Sequence, residues 1–171
     1  MIGSAEKYDK TIKVAEEMPS CTLMNMCMVY DDAGRVLIQD KIHSRWPGIT
    51  FPGGHVDEAE SIYDSVVREV KEETGLTVSA LEPVGMIHMN DPKAQTRRII
   101  FLYKTSRFEG KLVDETHEGK VYWVSAQELM GMNLAPNVRE YLRVFLNHDV
   151  IEAYITPDAD GKNIFTFLPK K

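Results

Sequence analysis

The chain contains 171 residues, of which 43% are hydrophobic and 27% charged. These fractions are close to the globular average, so a sizeable core can form without stabilisation by disulfide bonds or structural metal ions. Its 26 acidic and 20 basic side chains give a formal net charge of -6. This balance argues against a nucleic-acid polymer as partner, because such binders normally carry a basic face, but it allows a small anionic ligand held through divalent cations.

The cysteines and the apolar runs bear on the cellular compartment. If Cys21 and Cys27 share a strand, they lie about 20 Å apart, whereas a disulfide needs Cα atoms within about 7 Å. We therefore expect two buried, reduced thiols, as in a cytoplasmic protein. The chain shows neither a signal-peptide pattern nor the apolar run of roughly 20 residues that spans a membrane, so we expect no membrane partner.

The first predicted elements are a short extension and two strands. Residues 1–20 are polar, and we interpret them as an N-terminal extension or a short first helix. Residues 22–30 form an apolar, β-compatible run, and residues 35–41 resume this pattern after a turn-forming Asp-Asp-Ala-Gly stretch. This arrangement predicts a β-hairpin.

The central part of the chain predicts a helix over residues 60–74. Ile62, Val66 and Val70 recur there at helical spacing, and Gly75 stands just past the end. The remaining predicted elements are strands at 84–89, 98–104 and 121–124, a short helix from Ser125, a helix over 137–147, and a hairpin of 150–155 with 164–167. Because no repeat or linker interrupts them, residues 21–171 predict one α+β domain.

Three carboxylates gather on one side of the predicted central helix. Glu69 and Glu73 are four residues apart, and on a helical wheel both fall within roughly 20° of Ile62, at the rim of the apolar face. Glu72 lies about 60° further round. Like charges at this spacing repel each other, and near a core edge they need a neutralising cation such as Mg²⁺. A solvated acidic helix face is the plain alternative.

The whole segment 54–76 decides against that alternative. It matches the pattern GX5EX7REUXEEXGU, in which U is a bulky aliphatic residue, at every fixed position: Gly54, Glu60, Arg68, Glu69, Val70, Glu72, Glu73, Gly75 and Leu76. Nine specified positions across 23 residues make a chance match very unlikely. This pattern is the Nudix box, and the chain resembles Nudix hydrolases over most of its length.

The resemblance implies a fold, an activity and a metal site. The fold is an α/β/α sandwich with a mixed β-sheet between helices, and the activity is hydrolysis of a nucleoside diphosphate linked to another moiety. Mg²⁺ is the implied cofactor, with Mn²⁺ as the alternative ion. By position in the box, the implied metal ligands are the Gly53 carbonyl, Glu69, Glu72 and Glu73. Arg68 would orient the carboxylates, and Glu72 would take part in catalysis, while Gly54, Glu60 and Gly75 would support the loop and helix.

A general base outside the box is also implied by the resemblance. Glu118 is the candidate, because MutT-like relatives place a metal-binding glutamate in a similar loop before a strand. Glu115 is the fallback. An ordinary exposed loop glutamate is the alternative interpretation of Glu118.

The order of elements resembles the MutT-like branch of the family, which clears oxidised purine nucleoside triphosphates such as 8-oxo-dGTP. The run TFPGGH before the box and the final helix followed by a hairpin carry this resemblance. It implies hydrolysis to a monophosphate and pyrophosphate. An ADP-sugar, a dinucleotide or another nucleoside diphosphate derivative is the alternative substrate, and a non-catalytic nucleotide sensor is a further alternative that the intact REVKEE run opposes.

Four residues outside the box are candidates for substrate binding, each with a structural alternative. Asn137 matches the position of a purine-reading Asn or Asp, or it caps the last helix, and the two roles are compatible. Arg45 is placed to contact phosphate, or it is solvated, and Phe51 stacks on a base or packs in the core. Asn25 interrupts an apolar strand, so it has a buried partner or faces a pocket. The expected partner is a small nucleotide, and a homodimer is left open.

Overall fold

The computed structural model describes residues 20–42 and 46–170, and these residues form three helices and eleven strands. The helices are α1 (Ile62–Thr74), α2 (Ala126–Gly131) and α3 (Val138–Leu146). The strands are β1 (Ser20–Val29), β2 (Arg35–Lys41), β3 (Gly48–Thr50), β4 (Leu76–Ser79), β5 (Glu82–Asp91), β6 (Thr96–Thr105), β7 (Arg107–Gly110), β8 (Glu115–Thr116), β9 (Gly119–Ser125), β10 (Val150–Pro157) and β11 (Asn163–Pro169).

The strands form a mixed five-stranded sheet and two antiparallel ones. The large sheet has the order β1-β6-β5-β10-β11, in which β1 runs parallel to β6 and β10 runs parallel to β5. The second sheet has the order β3-β2-β9-β8, and β4 pairs with β7. The expected α+β fold with a mixed sheet is confirmed.

Two helices cover opposite faces of β1, because neighbouring side chains of a strand point to opposite sides. Cys27 and Val29 pack with Val66 and Val70 of α1. Met28 belongs to a second buried cluster that includes Phe145 of α3. The large sheet therefore lies between α1 and α3, and the start of α1 comes close to the β1 edge.

The predicted hairpin of the first two strands is wrong. Tyr30 and Val36 share an isolated bridge, but β1 pairs in parallel with β6 over ten positions, and β2 pairs with β9 and β3. A strand buried on both faces suits a parallel partner, whereas a hairpin would have kept β1 and β2 in one sheet. The short turn at Asp31 instead transfers the chain from one sheet to the other.

The other predicted helices and strands are confirmed, including the closing hairpin of β10 and β11.

The expectation of two buried thiols is half wrong, because Cys21 is exposed and Cys27 is buried. Burial raises the pKa of the Cys27 thiol to about 12. None of the described helices is long and apolar enough to cross a membrane. The predicted extension falls, except for Ser20, outside the described residues, and the domain limits stay a prediction.

Candidate active site

Local sequence chemistry sets both ends of α1, the helix that carries the carboxylates. Ser61 precedes the helix, and its Oγ accepts a hydrogen bond of 3.0 Å from the backbone N–H of Asp64. Gly75 ends the helix with a φ of 76°, a left-handed conformation that favours glycine. Because these caps define where the helix starts and stops, they keep Glu69, Glu72 and Glu73 within its last two turns.

Arg68 holds the outer carboxylates of the site. Its guanidinium binds both oxygens of Glu60, with Nε–Oε1 and Nη2–Oε2 distances of 2.8 and 2.9 Å. Its Nη1 donates to Glu69 at 2.9 Å and to Glu72 at 3.3 Å, and its Nη2 donates to the His55 carbonyl at 3.0 Å. One planar fork with five donors thus ties the loop before α1 to two carboxylates on the helix.

The Glu60–Arg68 pair predicts how stability responds to acid. The hydrogen bonds from Arg68 lower the pKa of Glu60 from 4.5 to about 2. A carboxylate with a depressed pKa in the folded state contributes stability above its unfolded pKa and loses it as the pH falls through the folded value. We expect Glu60→Gln to lower the free energy of unfolding at pH 7, with the gap to wild type closing between about pH 4.5 and pH 2. Urea unfolding at stepped pH measures this gap.

Glu58→Gln is the control, because it removes an exposed carboxylate close to Glu60 in the sequence. Its stability should follow the wild-type pH profile. A stability gap for Glu60→Gln that does not change with pH would contradict the assignment.

Three elements converge at a second, inner group of charges. Glu73 of α1 is 6% exposed, and its carboxylate accepts a 2.8 Å hydrogen bond from the Gly53 amide. Lys41, at the end of β2, places its Nζ 3.1 Å from Glu73 and 2.6 Å from Glu118. Gln39 also donates to Glu118, at 3.4 Å. Glu118, which lies in the turn between β8 and β9, therefore belongs to the same cluster as the box glutamates.

Burial and charge perturb the acidic groups of this cluster. Burial raises the pKa of Glu73 to about 8, although attraction to Lys41 opposes the shift. Burial also raises the pKa of Glu69, against the hydrogen bond from Arg68. For Glu118, burial is outweighed by hydrogen bonds with Glu73 and Lys41, and the pKa is lowered. The charge on Glu73 is therefore only partly balanced by the protein's own cations.

The candidate donor set fits a hard divalent cation. Glu69, Glu72, Glu73 and Glu118 offer carboxylate oxygens, the ligands that Mg²⁺ prefers. Because burial raises the pKa of Glu73, an additional cation there would favour its charged form. Within residues 20–42 and 46–170, no three acidic, histidine or cysteine side chains already converge as ligands of one ion. Arg68 and Lys41 instead divide the carboxylates into an outer and an inner group.

A cavity of about 470 Å³ adjoins the inner group. It reaches the carboxylates at Lys41 and Gly53, both of which contact Glu73. Much of its wall is apolar or aromatic: Met24, Met26, Phe51, Met89, Ile100, Ala135, Val138 and Tyr141. An apolar slot that opens onto a carboxylate cluster suits a ligand with a flat base and a phosphate chain.

Asn137 occupies the N-cap position of α3, but its side chain lines this cavity and does not cap the helix. Its φ is 69°, and its side chain makes no capping hydrogen bond within the described helix. Its Oδ1 accepts a 3.3 Å hydrogen bond from the Nδ2 of Asn163, on β11. The capping interpretation of the Asn137 side chain is therefore wrong, and the amide pair lines the cavity.

The other substrate-binding candidates have different environments. Asn25 is buried and donates from Nδ2 to the Ser65 Oγ at 2.9 Å, while no described residue bonds its Oδ1. Phe51 is 1% exposed and packs edge-on against Phe145, so it is part of the core as well as the cavity wall. Arg45 lies outside the described residues. Glu115 is exposed on β8.

Two residues of the site were not found by sequence reasoning, namely Lys41 and Asn163. Lys41 ends a strand 32 residues before Glu73, and Asn163 follows Asn137 by 26 residues. Neither belongs to a local motif, because each joins the site through strand pairing. A lysine at the end of an apolar strand was the one visible signal, and it is too common to be specific.

The layered fold and the glutamates of α1 beside a cavity define an enzyme of the phosphoanhydride hydrolase class. Residues 24–147 match the model of the NUDIX domain, and the chain belongs to this family, whose hydrolases act on phosphoanhydride bonds of nucleotide derivatives.

Individual relatives are similar at low identity, between 24% and 30%. The crystal structure of the MutT protein from Bacillus halodurans superimposes with a TM-score of 0.73 at 26% identity, covering 88% of this chain and 99% of that one. An ADP-ribose pyrophosphatase from Methanocaldococcus jannaschii is 24% identical over 67% of this chain and 70% of its own. A Bacillus subtilis protein provisionally named an 8-oxo-dGTP diphosphatase is 30% identical over 57% of this chain and 62% of its own length.

Proposed function

We propose that this Nudix hydrolase cleaves a nucleoside triphosphate with an oxidised purine, such as 8-oxo-dGTP, into a monophosphate and pyrophosphate, with Mg²⁺ or Mn²⁺ as cofactor. The observation that carries the proposal is the apolar cavity with its amide pair, directly beside Glu73. The similarity to a MutT protein in both sequence and fold supports it.

The acidic residues would have two roles at the phosphate chain, metal binding and acceptance of a proton. The metal would be held by the Gly53 carbonyl and by four carboxylates, those of Glu69, Glu72, Glu73 and Glu118. Arg68 keeps two of these carboxylates, Glu69 and Glu72, oriented. The chemistry that Mg²⁺ supplies when bound is neutralisation of charge on phosphate oxygens and acidification of water. Glu118 would accept the proton of the attacking water, because its lowered pKa keeps the carboxylate ionised and it lies beside Glu73.

The cavity would select the base. Met24, Met26 and Ile100 offer an apolar surface to a purine, and methionine adapts its shape to a ligand. Each amide of the Asn137–Asn163 pair keeps hydrogen-bonding capacity beyond their mutual bond. Such donors and acceptors in an apolar slot can distinguish an oxidised purine from a normal one by its altered edge.

A nucleoside diphosphate derivative such as ADP-ribose is the second candidate substrate. The similarity to the ADP-ribose pyrophosphatase is the observation that favours it. The same carboxylates would serve, because the cleaved bond is again a phosphoanhydride. In either case we expect the enzyme to act on free nucleotides in the cytoplasm, and a homodimer stays a prediction.

A substrate panel with saturating Mg²⁺ tests the proposal. We expect kcat/KM for 8-oxo-dGTP to exceed that for dGTP by at least about tenfold, as one well-placed polar contact can provide, with pyrophosphate as the product. Preference for ADP-ribose would support the second candidate instead. Equal rates on 8-oxo-dGTP and dGTP, or none on either, would overturn the assignment, and parallel assays of Glu69→Gln would exclude a contaminating phosphatase.

A further inference from the structure

Lys41 occupies an unusual position for a lysine. Its register partner on β9 is Gly119, next in sequence to Glu118, so the strand pairing brings the lysine beside this glutamate. The Nζ lies 2.6 Å from Glu118 and 3.1 Å from Glu73, and the side chain is 18% exposed. The ammonium is therefore held between two carboxylates that come from α1 and from the turn before β9.

These two carboxylates are also candidate metal ligands. Arg68 bonds to Glu60, Glu69 and Glu72, whereas Lys41 bonds to Glu73 and Glu118. An ammonium and a divalent cation cannot occupy the same oxygens without strong repulsion at such short range. Binding of a metal to Glu73 and Glu118 therefore requires that the ammonium move away.

The surroundings of Lys41 provide a place for the displaced ammonium. Its side chain lines the cavity as well as the carboxylate cluster. A lysine is a compact charge on a flexible four-carbon stem, so its head can turn while the strand stays in place. Turned away from the carboxylates, it would face the phosphate chain of a nucleotide whose base fills the cavity.

We propose that Lys41 is an internal counter-ion which the divalent metal displaces from Glu73 and Glu118, and that the displaced ammonium then binds a substrate phosphate. This inference rests on the proposed metal-dependent function. It makes Lys41 a positioning residue that lowers metal affinity in the free enzyme and raises phosphate affinity in the metal-loaded enzyme.

Calorimetric titration with Mn²⁺ alone tests the first half. Lys41→Met should bind Mn²⁺ about tenfold more tightly than wild type, because one competing unit charge is removed. Lys41→Arg keeps the charge and should stay within about threefold of wild type by the same reasoning. An unchanged or weaker affinity in Lys41→Met would overturn the inference.

Lys120→Met is the matched control. Lys120 is an exposed lysine on β9 that pairs with Asp40 in the same ladder, and alternation places its side chain on the face opposite to that of Lys41. The Lys120→Met substitution removes the same charge from the same pair of strands, and the Mn²⁺ affinity of this variant should match that of wild type. A gain equal to that of Lys41→Met would reduce the effect to net charge and overturn the proposal.

Binding of tripolyphosphate at saturating Mn²⁺ tests the second half, since this probe contains no base. Lys41→Met should bind it about tenfold more weakly, the loss expected for one charged hydrogen bond, and Lys41→Arg should restore most of the affinity. Unchanged binding would contradict the phosphate contact. Failure of wild type to bind Mn²⁺ would instead overturn the metal site itself, so the two failures can be told apart.

Discussion

Glu73→Gln is expected to lower kcat by roughly a thousandfold, beyond the 10- to 100-fold loss typical of a residue that merely supports a metal ligand. Glu73 accepts hydrogen bonds from the Gly53 amide and from Lys41, and it is the most buried carboxylate of the cluster. A glutamine oxygen can still accept the Gly53 bond, so the variant should remain folded. What it loses is the negative charge that balances a divalent cation. Steady-state hydrolysis at several Mg²⁺ concentrations, alongside thermal unfolding, measures both effects.

Two glutamates of the following loop provide the controls for this result. Glu115 is exposed on β8, and Glu115→Gln should leave kcat near the wild-type value. Glu118 shares Lys41 with Glu73, and Glu118→Gln should lower kcat by about 10²- to 10⁴-fold, the range of a lost general base. If Glu73→Gln hydrolysed substrate normally, the metal site would be wrong. If Glu115→Gln were the damaged variant, the fallback assignment of the base would hold.

Gly53→Ala is expected to destabilise the fold, with a loss of about 2–4 kcal/mol in the free energy of unfolding. Gly53 has a φ of 150°, which side-chain-bearing residues rarely adopt. A Cβ at this position would overlap the backbone of Asn25 and Met26 on β1. Because backbone on β1 cannot retreat without breaking its pairing with β6, the Gly53 loop would have to move, and with it the amide that binds Glu73.

Gly131→Ala is the matched control for this substitution. Gly131 is the last residue of α2, its φ is not in the left-handed region, and an added Cβ would meet no described atom within 4 Å. Its stability should stay within about 0.5 kcal/mol of wild type. Urea unfolding compares the two variants, and Gly53→Ala should also lose hydrolytic activity. A Gly53→Ala protein with wild-type stability and rate would show that the close approach to β1 is not needed.

The acidic helix could be predicted in detail because its signals are local. Ser61 and Gly75 cap it, apolar spacing orients it, and the fixed positions of the box identify Glu69, Glu72 and Glu73. Arg68 and Glu60 lie only eight residues apart, so the loop and the first two turns of the helix bring them together. Where contacting residues are this close in sequence, a local motif determines both the structure and which side chains pair.

Partners far apart along the chain could not be predicted in the same way. The apolar runs revealed β1 and β2 but suggested that they pair with each other, whereas β1 pairs with β6. The sequence pointed to Asn137 but not to its partner Asn163, because Asn163 lies on β11, at the edge of the large sheet. Strand pairing depends on which surfaces bury each other, and nothing in a strand's own sequence names its neighbour.

By itself, then, the sequence determined the family, the helix that carries the carboxylates and the segments of chain that become strands. The tertiary structure alone decided that Lys41 lies between Glu73 and Glu118, that Glu118 rather than Glu115 reaches the cluster, and that an amide pair lines the adjoining cavity. The physical reason is that caps and helical spacing act within a few residues, while these contacts arise from the register of β2 on β9 and from the position of β11 at the edge of the sheet.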